Sequence, residues 1–308
     1  MRILATSDLH YTDHMGRAVK LAEAARRVKF DILIIAGDIA SGNPNHYRHV
    51  LPLFGRLSQP KLAVFGNHDL WVSPEDGDSL KQFDILTPVF EAFGFSVLDS
   101  APAIIDNVGF VGNVGWYDYS FRRTNPAFAP YVLVLRQDGS VCRWDEMTDA
   151  DYATKRLTYI DLRRSTAQLG NPKAVIGRSQ WLDWRFVKLP YSDTEFTKIC
   201  AQRLQRDIER IHDSVSEIVC VTHHVPFAEL VVVKDEPGWD FANAFVGSAL
   251  LGQVMLPYPK VKTAICGHTH RHCAAKVAHI FCCDVSARSG GALFLIDTEK
   301  AECRRVAP

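Results

Sequence analysis

The sequence predicts a layered α/β protein, with helices outside and β-sheet inside, and three observations carry that prediction. Short β-branched or apolar runs recur along the chain with helical stretches between them. Hydrophobic residues make up 47% of the 308 residues and charged residues 23%, the profile of an ordinary globular chain rather than a disordered or disulfide-stapled one. That length admits one large domain or two average ones, and no internal repeat or low-complexity linker divides it. A single domain over residues 1–308 is therefore expected.

Taken in order, Arg2–Thr6 reads as a strand, Ala18–Val28 as an amphipathic helix and Asp31–Ala36 as a buried strand. Asn45–Leu57 reads as a helix broken near Pro52, Lys61–Phe65 as a strand, and Asp78–Phe93 as a helix that Pro88 should kink. Val97–Leu98, Ala103–Ile105 and Phe110–Val114 are short strands, the last two close enough for a hairpin. Arg203–Ile211 predicts a helix, and Glu217–Thr222, Val261–Cys266 and Ala292–Asp297 predict strands. Between Trp116 and Tyr191 the rhythm fades: four of the six Trp and six of the nine Tyr fall there, with twelve Lys and Arg against eight Asp and Glu. This segment is expected to be an insertion folded onto the main domain and capping its active site.

Lys+Arg and Asp+Glu are 35 each, so the formal charge is zero. A nucleic-acid groove or an anionic membrane usually needs a basic excess, so neither is an expected partner. No run reaches the roughly 18 apolar residues of a membrane span, and no signal peptide is visible ahead of Arg2–Thr6. The eight cysteines form no C-x-x-C pair, and Cys220 and Cys266 end apolar runs as small core residues. Reduced thiols and a cytoplasmic location are the expectation.

Five segments place carboxylate, imidazole or amide groups just past a strand end, the edge where open α/β sheets bind ligands. They are Ser7-Asp8-Leu9-His10, Gly37-Asp38, Gly66-Asn67-His68-Asp69, Thr222-His223-His224 and Gly267-His268-Thr269-His270. Each alone is weak, but five in order at strand termini are not independent accidents. Imidazole with carboxylate suits Mn, Fe, Zn, Co or Ni rather than the all-oxygen cage of calcium. Seven candidate ligands exceed one four-coordinate zinc and suit two metals about 3.5–4 Å apart that share a carboxylate.

The order D-x-H, G-D, G-N-H-D, H-H-x-P and G-H-T-H, spanning Asp8 to His270, resembles the calcineurin-like metallophosphoesterase superfamily. The resemblance implies the metallophosphoesterase fold, a layered sandwich of two mixed β-sheets flanked by helices, carrying here an aromatic-rich insertion. It implies a metal-dependent phosphohydrolase, a phosphatase or phosphodiesterase, with two transition-metal ions (Mn, Fe or Zn) and a small or medium phosphate ester as substrate. By the family pattern Asp8, His10 and His270 would hold one metal, Asn67, His223 and His268 the other, and Asp38 would bridge them. A metal-bridging hydroxide would attack in line. His68 would donate a proton to the leaving oxygen or stabilise the transition state, and Asp69 would hydrogen-bond His68 and keep it protonated.

His224 is either outside the ligand set or a substrate contact. Trp116, Tyr117, Arg122 and Arg123 combine aromatic faces with guanidinium groups and are candidate substrate contacts, against the alternative of a small core under a flap. Arg271 could approach a substrate phosphate, against the alternative of a solvated loop arginine. A nuclease of the same superfamily lacks support from any extended basic stripe. An interaction scaffold with a decayed metal site should have lost a ligand, and none is missing.

Overall fold

A computed structural model describes residues 1–306 except 76, 124, 128, 164–174 and 289–290, so the 164–174 part of the aromatic segment lies outside the described residues. In the first sheet β1 (Arg2–Thr6), β2 (Ile32–Ala36), β3 (Lys61–Val64) and β4 (Phe95–Val97) run parallel. On the far side of β1, β15 (Leu293–Asp297) and then β16 (Glu302–Val306) join it antiparallel. The second sheet has β6 (Val108–Asn113), β11 (Glu217–Thr222), β12 (Val261–Cys266) and β14 (Ile280–Asp284) in parallel. Its antiparallel edges are β5 (Ala103–Ile105) and β13 (Cys273–Val277). The protein is thus a mixed α/β fold with two six-stranded mixed sheets flanked by helices.

Side chains alternate along each strand, so one face of each sheet lines the space between the two sheets. Ile3 and Ala5 of β1, Ile32 and Ile34 of β2, and Val219 and Val221 of β11 meet there. Their neighbours point outward: Leu33 and Ile35 pack with the helices over the first sheet, and Ile218 and Cys220 with the helix over the second. Each fully buried aliphatic side chain contributes about 1.5–3 kcal/mol. Near-continuous apolar runs follow from burial on both faces.

Helices α1 (Tyr11–Ala25), α2 (Pro44–Gly55) and α3 (Lys81–Ala92) connect the parallel strands of the first sheet. α1 begins seven residues before the expected start, because its first turn is polar and His14 breaks its regular dihedrals. α2 is continuous across Pro52, and α3 contains Pro88 within it. The expected hairpin forms as β5–β6, with Asp106 and Asn107 both at positive φ in its turn, the geometry short hairpins favour.

The aromatic segment holds a third, four-stranded antiparallel sheet in the order β10-β9-β7-β8. Its strands are β7 (Val132–Leu135), β8 (Val141–Arg143), β9 (Arg156–Asp161) and β10 (Val175–Gln180). α4 (Asp149–Ala153) precedes β9, and α5 (Asp183–Phe186) follows β10. α6 (Asp193–Ile211) starts ten residues before the expected helix, where Ser192 and Glu195 form a capping box. It buries Phe196, Cys200, Leu204, Ile208 and Ile211 on one stripe. Two short helices, α7 (Pro237–Asn243) and α8 (Ala249–Gln253), lie between β11 and β12. No helix among the described residues is long and apolar enough to cross a membrane.

Candidate active site

The five polar segments leave the ends of β1, β2, β3, β11 and β12, all parallel strands of the two facing sheets. Their backbones are tied together: Asp8 N–H donates to Gly37 O at 3.1 Å, His10 N–H to Asp38 O at 3.1 Å, and Gly267 N–H to His223 O at 3.0 Å. Asp8, His10, Asp38, His268 and His270 all sit at positive φ, a costly conformation for residues with a Cβ. The glycines permit the close approach: a Cβ on Gly66 would collide with the Asp38 carboxylate, and one on Gly267 with Ser7 and Asp8.

The side chains converge in three overlapping groups whose donor atoms lie within 4.8 Å of one another: Asp8, His10 and His270; His10, Asp38 and His68; and Asp38, His223 and His268. Asp38 Oδ2 links them, 3.7 Å from His10 Nε2, 3.9 Å from His68 Nε2 and 3.4 Å from His223 Nε2. Asn67 Oδ1 stands 3.1 Å from His223 Nε2. The structure therefore brings Asp8, His10, Asp38, Asn67, His68, His223, His268 and His270 to one place.

The hydrogen bonds fix what these atoms can offer. His223 Nδ1 donates to Ala36 O at 2.8 Å, and His268 Nε2 donates to Phe245 O at 3.2 Å. Their other nitrogens, His223 Nε2 and His268 Nδ1, lie 2.9 Å apart, so with both rings neutral two lone pairs face each other. His10 Nε2 and His270 Nε2 approach to 3.2 Å. Asp8 Oδ1 is buried with no hydrogen-bond donor, 3.2 Å from His270 Nε2. Orphaned lone pairs of imidazole and carboxylate call for cations between them, and this donor set fits transition-metal ions.

Charge follows from the same contacts. Burial favours a protonated Asp38, yet His223 and then His68 hold its carboxyl well below the usual range. Burial also works against a charged His223, but Asp38 pushes it up to about 10, so a proton there takes a cation's place when no metal is bound. Burial, with His224 and His223 nearby, keeps His268 neutral, as a ligand must be.

His68 is held differently from the expectation. Asp69 is fully buried and does not bond it; Oδ1 accepts from Tyr47 Oη at 2.5 Å and from the Ile39 and Ala40 N–H groups, and Oδ2 accepts from Gly66 N–H at 2.8 Å. Asp69 fastens the β2 loop to the β3 loop instead. His68 stacks on Trp71, with ring centroids 3.8 Å apart, and Trp71 stacks on Phe186 at 4.7 Å.

The five expected substrate contacts are corrected too, since none of them lines the cleft over these groups. Trp116 and Tyr117 are fully buried, their polar atoms bonded to Asp193 and Asp183. Arg122 pairs with Asp149 at the surface. Arg123 Nη1 is buried away from the cleft, and His224 is buried with Nδ1 bonded to Val114 O at 3.0 Å. Trp116, Tyr117, Tyr119, Trp144 and Tyr152, with Val132 and Val134, pack into the core instead, because large rings supply much of the apolar area a small added layer can bury.

The segment reaches the site through a residue to which the sequence assigned no role of its own. Asp183 is buried, and its carboxylate takes four donors. Oδ1 accepts from Asn67 Nδ2 at 3.0 Å and Trp71 Nε1 at 2.9 Å, and Oδ2 from Tyr117 Oη at 3.1 Å and Trp181 Nε1 at 2.8 Å. Holding the Asn67 amide nitrogen turns Oδ1 toward His223, and holding Trp71 sets the plate under His68. The only sequence signal was its place in Trp181-Leu182-Asp183-Trp184. The cleft itself, about 410 Å³, opens over Asp38, Asn67, His68, His268 and His270 and is walled by Trp71, Trp181, Trp239 and Leu182.

Residues 1–272 match the family model of the calcineurin-like phosphoesterases. The chain belongs to this family. Its fold places it among solved structures of the same kind. A phosphopantetheinyl hydrolase from Mycobacterium tuberculosis is similar over 99% of this chain and 95% of its own, with TM-score 0.63 and 18% identity. A dimetal phosphatase from Danio rerio is similar over 100% and 98%, with TM-score 0.52 and 15% identity. The TT1561 protein of Thermus thermophilus is similar over 99% and 97%, with TM-score 0.56 and 10% identity. At these identities the likeness is one of fold. No curated protein matches the chain. Within this phosphoesterase the clustered imidazole and carboxylate groups are candidate ligands for divalent metal ions.

Proposed function

We propose that this phosphoesterase is a dinuclear metal-dependent phosphohydrolase acting on a small or medium phosphomonoester or phosphodiester. The observation that carries the reading is Asp38 Oδ2, 3.7 Å from His10 and 3.4 Å from His223, which joins two triads of orphaned donor atoms through one carboxylate. Asp8, His10 and His270 would hold one ion, Asn67, His223 and His268 the other, and Asp38 both. When bound, such a pair supplies positive charge for the phosphate oxygens and makes water acidic enough to attack at neutral pH.

The chain's own groups do the rest. Asn67 is a neutral ligand and adds no negative charge beside the phosphate. His68, half-buried at the cleft and stacked on Trp71, is placed to give a proton to the leaving oxygen or to hydrogen-bond it. Asp69 acts on His68 only through the loop it fastens. Residues 181–183 line the cleft, which supports the 116–191 segment as a cap that helps exclude water.

The test is hydrolysis of p-nitrophenyl phosphate and its bis ester by chelator-treated protein, with Mn, Fe or Zn restored in turn. Activity should depend on added metal, and Asp38→Ala should lose about a hundredfold or more in rate. Full activity after removal of all metal would contradict the reading.

A further inference from the structure

We infer that Arg271 and Arg288 form, beside the Trp239 ring, a subsite for a second anionic group on the substrate, separate from the phosphate that is cut. This rests on the reading of the cleft as a phosphoester site. The strand-end loops account for one phosphate; they do not account for what else lines the same cleft. Arg271 and Arg288 both line it. Arg271 Nε is buried with no hydrogen-bond partner, and neither guanidinium has a carboxylate partner among the described residues.

Some arginines outside the cleft have carboxylate partners. Arg136 pairs with Asp151 at 2.7 Å and Arg163 with Asp161 at 2.8 Å. Two guanidiniums lining the cleft of a candidate cation-binding centre add positive charge to it, and an anion offsets that charge. A guanidinium offers a planar fork that matches phosphate or carboxylate oxygens.

The wall next to them fits the body of such a substrate. The Trp239 indole N–H donates to Val232 O at 2.7 Å, and Lys234 Nζ lies 3.6 Å from the ring centroid, so the ring is fixed before anything binds. Arg271 lies 5.3 Å from the same centroid. A phosphate gains nothing from Trp239, Trp181 or Leu182; a ring or hydrocarbon does. The class is therefore a phosphate ester whose organic part presents a planar or apolar body and a second phosphate or carboxylate.

Calorimetry on the Mn-loaded full chain carrying His68→Ala to slow turnover, with released phosphate assayed after each titration, compares a nucleoside 3′,5′-bisphosphate with the matching 5′-monophosphate. The bisphosphate should bind about tenfold or more tightly. Arg271→Ala should remove most of that advantage, and so should Arg288→Ala, whose exposed site leaves folding undisturbed. Equal binding of the two probes, or an advantage that survives both substitutions, overturns the subsite. The outcomes separate the two readings: an advantage without metal-dependent hydrolysis of p-nitrophenyl phosphate removes the proposed function and leaves the subsite. Hydrolysis without the advantage does the reverse.

Discussion

The strand-end loops and the 116–191 segment both withdraw carboxylates from water, and they do so in opposite ways. In the loops Asp8 Oδ1 has no donor, and two pairs of imidazole nitrogens crowd to 2.9 and 3.2 Å of each other beside the carboxylates. In the segment Asp183 accepts four hydrogen bonds, and Trp116, Tyr119 and Lys155 of the segment satisfy Asp193 just beyond its end, Lys155 at 2.7 Å. A satisfied buried carboxylate rigidifies its surroundings; an unsatisfied one among lone pairs waits for a cation. The contrast marks where a ligand is needed and where only order is needed. Asp183 belongs to the second kind yet serves the first, because it holds Asn67.

That link gives the largest effect to test. Asp183→Asn keeps one acceptor but turns an N–H₂ toward groups that are themselves donors. Mn affinity or activity should fall about 10–100-fold, the usual cost of disturbing what orients a ligand. Calorimetric Mn titration beside a melting curve checks it, and an unchanged affinity would reduce the segment to mere lining.

Asp240 sharpens the contrast, since both its oxygens are buried without a partner and no imidazole cluster faces it. Burial, opposed by Arg123, pushes it up from 3.8 to about 6, so the folded chain holds this proton more tightly than the unfolded one. The stability it contributes is present below about pH 4 and is lost as pH rises through about 6. Asp240→Asn should therefore melt higher than the parent at pH 8 but not at pH 4; a gain of equal size at both would show that no proton is involved.

The smallest effect is expected at Arg122, whose pairing with Asp149 lies at the surface. Arg122→Ala should change stability by no more than about 1 kcal/mol and leave KM for p-nitrophenyl phosphate alone. A several-fold rise in KM would return it to the substrate contacts.

What the sequence made legible follows the same division. Asp8, His10, Asp38, Asn67, His223, His268 and His270 could be read because each sits within a few residues of an apolar run, and strand ends converge in this kind of sheet. The parallel strands were legible because burial on both faces leaves runs such as Ile32–Ala36. The strands of the third sheet were not, since β8 and β10 are short of apolar residues and half exposed. Nor was the fate of Trp116 and Tyr117 legible: aromatic residues serve a core or a ligand equally well, and only packing decides. Asp69 was assigned to His68 from the family pattern, but its carboxylate accepts from Tyr47 and from the Ile39, Ala40 and Gly66 N–H groups instead, which only the packing of the loops reveals.

The central claim is that these loops hold two ions through Asp38. Elemental analysis of Mn-equilibrated protein after desalting tests it most directly. The account predicts two ions per chain, falling to one or none in Asp38→Ala. A single ion in the parent chain, or a count that Asp38→Ala leaves unchanged, would contradict it.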